Sequence, residues 1–456
     1  MKLTHEYYLE IINNLEGDHQ MLFSCLFVDH KFCRFTVPLL WADPFNNISK
    51  DSIDVVSIYL SYLNKNEKLQ LTSKAYQVDL SCISKETLFE YTDFLETYSK
   101  IPTFVAIQSM LFRTCKRIKK FYISVAEDSL TFPLISSSWF YSSELRECEF
   151  KFVVSNSQNT NVYNYINLIS IRNKRIQTIR IMVYNEDILP NCQEPILNLI
   201  KTQTELKELE LKYFSTTSFT PLLQYKMLQV KSQRLRKLIL QGIKFDKDNL
   251  ANLVPNLEVL SIKHSFGNLF GKQNNLQNLQ QLELKELSNE VKKKIVFLLS
   301  QNYPNITTLC YVTDNLMFSS TLKKFHKLCQ LQIGGFAYYN FPNSSQDYLQ
   351  ALIKYLSSSL KILSLLNIYD YSYENLNSFL QDFDIERVKL TVFILPFNVE
   401  LNLLPNLRKF IKKAKYLKYI EIVRSENYNI EKQKDSERDI INLCKARNIK
   451  CILKFQ

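Results

Sequence analysis

Glycine is scarce. The 456 residues contain six, namely Gly17, Gly242, Gly267, Gly271, Gly334 and Gly335. Folds that hold nucleotide phosphates place glycines at fixed spacings, so that backbone N–H groups can approach the anion. The nearest approach to such a loop is Gly267-Asn-Leu-Phe-Gly271-Lys272, with three residues between its glycines and Gln273 where Ser or Thr would hold magnesium. A turn is the reading adopted. Histidine is as thin: five in the chain, with no H-E-x-x-H pair and no G-x-S-x-G elbow. His19, Cys25, His30 and Cys33 fall close in sequence. On one helix, however, His30 and Cys25 would diverge by about 140°. Neither catalysis, metal nor cofactor is expected. Long apolar runs are missing too, none nearing the ~18 residues of a membrane span. MKLTHEYYLEIINNLEG at the start carries no apolar signal core. The expectation is an intracellular protein of cytoplasm or nucleus, without membrane contact.

What is present is a folding composition, 46% apolar and 22% charged. Ten cysteines are scattered along the length, as at Cys25, Cys82, Cys192 and Cys310, without the density of a disulfide framework. They are expected as small buried hydrophobes in a reducing compartment. The formal charge of +12 permits anionic partners without requiring them. Basic runs at 116–120, 172–175, 292–294 and 408–415 sit beside strand or helix signals. They are assigned to solvated faces, and nucleic acid is not expected as a partner.

One pattern recurs: apolar-x-x-apolar-x-apolar. It appears at Ile118/Phe121/Ile123, Leu145/Cys148/Phe150, Ile176/Ile179/Ile181, Leu206/Leu209/Leu211 and Leu235/Leu238/Leu240. It continues at Leu257/Leu260/Ile262, Leu279/Leu282/Leu284, Ile306/Leu309, Leu328/Leu331/Ile333 and Leu360/Leu363/Leu365. It closes at Ile385/Val388/Leu390, Leu417/Ile420/Ile422 and a weaker Ile449/Ile452. From 118 to 449 is 331 residues in twelve steps, about 28 per repeat. The alternation predicts a short strand with one face in the core. Amphipathic helices are predicted between strands, for instance over Asn289–Gln301 and Gln346–Ser357. Such a unit cannot bury its apolar face alone, whereas stacked units share one continuous core.

Over roughly three quarters of the chain this pattern resembles the leucine-rich-repeat family. The resemblance implies an α/β solenoid with parallel strands on its concave face. One departure concerns the turn after each strand, where the family favours Asn or Cys and this chain has Ile243, Ser265 and Ile368. In each strand the residue between the last two apolar positions faces away from the core. That row supplies the target-binding candidates Glu210, Ile239, Ser261, Glu283, Ser364 and Glu421, with Lys212, Lys263 and Lys285 beside them. These are expected as exposed sites whose charge reversal leaves stability intact.

Residues 1–45 have a different periodicity. Tyr8, Ile11, Ile12 and Leu15 lie at helical spacing, Glu16-Gly17-Asp18 breaks the helix, and a second apolar run from Met21 continues through Phe35 to Pro38-Leu-Leu-Trp41. Two or three short helices cannot stand alone and must pack on the repeats, on another protein, or on both. Residues 46–115, with helix signals at Ile53/Val56/Leu60/Leu63 and Leu88/Tyr91/Phe94/Leu95, are assigned to a cap or degenerate repeats, and 116–456 to the solenoid.

The first segment resembles an F-box, through Leu3 and Glu6, Ile11 and Leu15, then Leu22, Val28 and Phe32, and the exit Leu40-Trp41. The likeness is to fungal-type F-box proteins with irregular repeats. Thr4 replaces the motif's proline and Phe32 its tryptophan. The resemblance implies a substrate-recognition subunit of a Skp–cullin–F-box ubiquitin ligase. Leu3, Ile11, Leu15, Leu22, Val28 and Phe32 would face a Skp-family adaptor, and through it a cullin. The repeats would hold an unidentified target protein. The alternatives are a repeat scaffold outside the ubiquitin system or, further behind, a nucleic-acid-binding repeat protein.

Overall fold

The computed structural model describes residues 4–42, 59, 61–63, 65, 97–98, 114–115, 117–125, 144–153, 160–184, 189–214, 234–242, 244–245, 256–264, 266–267, 278–285, 287, 305–312, 322, 324–334, 345–366, 373–397, 404–424 and 434–455. They fall into two compact units, Met1–Thr217 and Ser218–Gln456.

The first unit opens with three helices, α1 (His5–Asn13), α2 (His19–Cys25) and α3 (His30–Leu40). Gly17 turns the chain between α1 and α2 at φ +92°, a backbone region that costs other residues roughly 1 kcal/mol or more. The apolar run from Met21 to Phe35 is not one helix. Asp29 interrupts it by accepting the Phe32 N–H at 2.8 Å, as Asp18 accepts the Met21 N–H at 3.0 Å to start α2. His30 and Cys25 therefore stand on different helices, contrary to the single-helix reading. The segment has a small core of Tyr8, Ile12, Leu22, Cys25 and Val37.

Five parallel strands follow, paired in chain order: β1 (Thr97–Tyr98), β2 (Lys120–Val125), β3 (Glu147–Phe152), β4 (Thr178–Val183) and β5 (Glu208–Tyr213). Helix α4 (Thr160–Arg172) joins β3 to β4, and α5 (Leu189–Thr202) joins β4 to β5. Phe121, Cys148, Ile179 and Leu209 share one register position and are all buried.

The second unit carries a parallel sheet of β6 (Lys237–Gln241), β8 (Val259–Lys263), β10 (Gln281–Lys285), β11 (Thr308–Val312), β12 (Gln330–Gly334), β13 (Ile362–Leu366), β14 (Val392–Phe397), β15 (Tyr419–Arg424) and β16 (Lys450–Phe455), in that order. Two short strands, β7 (Lys244–Phe245) and β9 (Phe266–Gly267), pair separately in parallel. Helices α6 (Ser345–Tyr355), α7 (Tyr373–Asp382), α8 (Leu404–Lys413) and α9 (Lys434–Ala446) fill the later connections.

The steps of 22 residues from 235 to 257 and from 257 to 279 hold β7 and β9 among their described residues. Among connections described well enough to judge, every step of 27 or more holds a helix. At the same place in the two short repeats the backbone turns out of the strand with positive φ, +69° at Gly242 and +47° at His264. Helix α6 matches the predicted Gln346–Ser357, while Asn289–Gln301 and nearly all of 46–115 lie outside the described residues.

A backbone seam marks the start of most strands in both units. The carbonyl of Lys119 accepts the N–H groups of Arg146 and Glu147, and the carbonyl of Arg146 accepts those of Gln177 and Thr178. In the second unit the same double acceptance recurs at Arg236, Glu258, Gln280, Thr307, Cys329, Lys361 and Thr391, at 2.8–3.1 Å. Backbone pairing corrects two repeats. Ile385/Val388/Leu390 is not a strand. The ladder continues at Leu390/Phe393/Leu395, because Thr391 and Val392 are the residues that bond Lys361, and 385–389 is a turn. In the last repeat Cys451, not Ile452, stands beside Ile420, which puts Ile452 on the open face beside Glu421. A slip of one residue exchanges the two faces of a strand.

With these corrections each unit is built of stacked repeats, mostly helix–strand, on parallel strands, preceded in the first by a helical segment. The fold is an α/β leucine-rich-repeat solenoid. Among the described residues no helix is long and apolar enough to cross a membrane.

Candidate functional site

Two surfaces qualify, the open face of the strands and the N-terminal helices. On the open face, registration places Ile239, Ser261, Glu283, Cys310, Gln332, Ser364, Ile394, Glu421 and Ile452 in one row across the second unit. Five of the six target-binding candidates are in it. The sixth, Glu210, belongs to the row Tyr122, Glu149, Arg180, Glu210 in the first unit.

These residues are not the exposed set expected. Ser261, Ser364 and Glu421 are buried. Parallel strands lie only about 4.8 Å apart, so each side chain in the row is flanked by its neighbours. Glu283 accepts a hydrogen bond from Ser261 Oγ at 2.5 Å and pairs with Lys285 at 2.7 Å and Lys263 at 3.4 Å. Burial alone would raise its pKa. The bonds from Lys285 and Ser261, with both ammonium charges, outweigh that and hold it below the usual carboxylate value. Cys310, next in the row, is pushed up to about 11 by burial. Glu421 accepts the Tyr419 hydroxyl at 2.5 Å. Charge reversal at Glu283 would break a three-partner network, so it is not neutral for stability.

In the first unit Glu210 pairs with Lys212 and, at 3.6 Å, with Arg180. Glu147 pairs with Arg180 at 3.3 Å and accepts the Tyr122 hydroxyl at 3.4 Å. Glu149 sits between them with no hydrogen bond or ion pair among the described residues. Burial raises its pKa, an effect that Arg180, registered beside it, together with Lys212 and Lys151 only partly offsets. At the edge of the same face, Tyr184 and Phe214 stack with ring centroids 4.3 Å apart, and Lys151 lies over Tyr184 at 5.2 Å. No motif search would single these out, since their significance lies in cross-strand registration.

The adaptor-facing candidates divide. Ile11 is 41% exposed and Val28 62%. Leu15 and Phe32 are half-buried, and Phe32 packs edge-on against Tyr8 at 4.9 Å. Leu22 is buried in the segment's own core, which corrects its assignment to a partner. Leu3 lies outside the described residues. The motif comparison passed over Tyr7, Met21, Phe23 and Phe27, all exposed, Phe27 to 76%. Phe23 and Phe27 meet edge-on at 5.5 Å. Their i, i+4 spacing was the available signal. Among the described residues no three His, Cys, Asp or Glu side chains gather as a metal site would require.

No family model matches the chain, and no curated protein matches it. Among solved structures it is similar to an internalin from Listeria monocytogenes, with 10% identity and a TM-score of 0.29, over 87% of this chain and 90% of that one. It is also similar to an internalin-like protein of Listeria monocytogenes, with 12% identity and a TM-score of 0.21, over 60% of each. At such values nothing about function passes from those proteins to this one.

Proposed function

We propose that the chain is a non-catalytic, intracellular recognition subunit that couples two proteins. Its N-terminal helices dock a Skp-family adaptor, and through it a cullin, while the open face of the repeats holds a target for ubiquitin transfer. The division into residues 1–45, 46–115 and 116–456 follows from these roles. One observation carries the reading. A three-helix segment that buries Ile12 and Leu22 leaves Tyr7, Ile11, Met21, Phe23, Phe27 and Val28 in solvent. A segment this small exposes so much apolar surface at a cost in solubility that a bound partner removes. The order of apolar positions also supports an F-box.

The test is co-purification of the full chain with a Skp-family adaptor, alongside Ile11→Glu and Val28→Glu variants. Both residues are exposed, so the variants should keep the parent's melting curve while binding weakens more than tenfold, as unpaired charges in a desolvated patch require. An unmodified chain that captures no adaptor would leave the repeat scaffold outside the ubiquitin system, Thr4 and Phe32 being the departures responsible.

A further inference from the structure

The positive charge of the chain is not spread evenly. Residues 1–217 carry 23 Lys and Arg against 25 Asp and Glu, whereas residues 218–456 carry 34 against 20. The whole excess therefore belongs to the second unit. Its last two repeats concentrate it further. Residues 405–420 hold six cations and no carboxylate, and residues 440–456 hold four and none.

The sequence assigns the run 408–415 to a solvated face, and the structure adds what lies beside it. Arg447, just beyond α9, donates to the carbonyls of Ile411 and Lys412 at the end of α8, and the Lys450 N–H donates to the Lys418 carbonyl at 2.9 Å. Helix ends and strand starts thus share one edge of the unit. Lys412, Lys413, Lys415, Lys418, Lys445 and Lys450 lie along it, and all six are exposed. Lys415 reaches Glu386 at 3.7 Å, and the other five have no ion pair among the described residues. Asp382 and Asp384, on the preceding repeat, are taken up by Gln350 and by the Arg387 N–H. Cations suit a helix C-terminus, but Arg447 already meets the carbonyls at the end of α8, so the lysines are surplus to that need. Like charges gathered in this way repel one another until an anion arrives. Tyr416 stands among them. It is the one large apolar side chain of the second unit that is exposed among the described residues, at 47%, and the Lys389 ammonium lies 5.6 Å from its ring centre.

We infer, against the expectation drawn from sequence, that this rim binds a single-stranded nucleic acid, its lysines pairing with successive phosphates and Tyr416 offering its ring to an unstacked base. Lysine is a hydrated point charge on a flexible stem, suited to following a charged backbone and not to bidentate recognition of one group. With a single exposed apolar side chain, the rim has no set of anchors for a peptide's side chains. The ligand's charge must instead recur along its own backbone. A duplex keeps its bases stacked and leaves Tyr416 unused. This surface lies apart from the adaptor-docking helices and adds a partner beyond the function proposed above.

The experiment uses the full chain and a fluorescein-labelled oligouridylate, read by anisotropy across a salt series. Five free lysines predict that log Kobs falls with log salt at a slope of about −3.5, near 0.7 for each phosphate neutralised. The triple variant Lys413→Gln, Lys418→Gln, Lys450→Gln should flatten that slope by about 2 and weaken binding more than tenfold at about 0.1 M salt. A second triple variant, Lys174→Gln, Lys201→Gln, Lys207→Gln, removes the same charge from exposed positions of the first unit. It should leave affinity within about twofold. Tyr416→Ala should weaken binding about fivefold with the slope unchanged, as loss of one stacked base requires. Melting curves matching the parent's confirm that these exposed changes leave the fold intact. Equal losses from the two triple variants would mean that bulk charge alone governs binding and would overturn the inference. So would absence of binding at low salt, or displacement of the oligouridylate by polyglutamate or by duplex RNA at lower concentrations than by unlabelled oligouridylate. Ile11→Glu should leave RNA binding unchanged, so failure of adaptor docking and failure of this rim are read separately.

Discussion

At the scale of single residues, the open-face rows of the two units hold carboxylates in opposite situations. Glu283 has its pKa lowered by its partners, so it favours the folded state above the ordinary carboxylate pKa and loses that contribution as pH falls through its depressed value. Glu283→Gln should cost about 1 kcal/mol at neutral pH. The gap from the parent should close on titration below pH 4.5, the ordinary value. Glu149 has its pKa raised, so its ionised form burdens the folded state at neutral pH and the burden disappears on protonation. Glu149→Gln should melt no lower than the parent, and any gain should vanish in acid. Thermal melts of both variants across the pH range check the pair. A lowered melting temperature for Glu149→Gln at neutral pH would mean that its carboxylate has a partner after all. None of this was legible in the sequence, where Glu149, Glu210 and Glu283 occupy equivalent places in their repeats. The cross-strand neighbours that distinguish them sit 22 to 31 residues away.

At the scale of elements, the repeat strands were visible wherever alternation stood alone and were misplaced where two candidates overlapped. Ile385/Val388/Leu390 and Leu390/Phe393/Leu395 share a residue and satisfy the same pattern. Val388 is itself buried, so its apolar character carried no error signal. Backbone bonding to Lys361 discriminates the two, and a sequence does not display it. Helices were harder to place for a related reason, since their ends are held from a distance. Arg447, beyond α9, donates to the carbonyls of Ile411 at 2.6 Å and Lys412 in the last turn of α8. Arg387, after α7, does the same for Ile353 of α6 at 2.6 Å. Carbonyls at a helix C-terminus lack internal partners and carry partial negative charge, which a guanidinium satisfies. Arg447→Ala should therefore cost about 1–3 kcal/mol, measured by denaturant midpoint. Arg447→Lys should recover part of it, because one ammonium replaces the charge but not the fork.

At the scale of the whole molecule, each repeat is buried by the two beside it, so damage should spread locally. Phe393→Ala in β14 removes a fully buried ring that packs on Phe410 of α8 at 4.9 Å. The loss should be about 3–5 kcal/mol. In native-state hydrogen exchange the amides of β13 and β15 should lose protection first, with the effect fading toward β10. Uniform loss across the second unit would show it to be a single cooperative block. Fold class was the most legible property at this scale, because a dozen weak matches in one order outweigh the ambiguity of each. Function was the least legible, since the surface that would select a target is assembled from one or two residues per repeat.

The seam of shared carbonyls has a consequence for how such a chain can change over time. The junction is made by main-chain atoms, and the residues that supply the accepting carbonyl are Lys119, Arg146, Gln177, Arg236, Glu258, Gln280, Thr307, Cys329, Lys361 and Thr391, a set with no shared side-chain chemistry. Any repeat can thus abut any other. Sequence lengths of 22 to 32 residues between seams are absorbed in the connections without altering the joint. Gain, loss or exchange of a whole repeat would preserve every junction while replacing a column of the open face at a stroke. Lineages carrying this architecture could diversify their targets by recombination between repeats, faster than by point substitution, with the frame left intact.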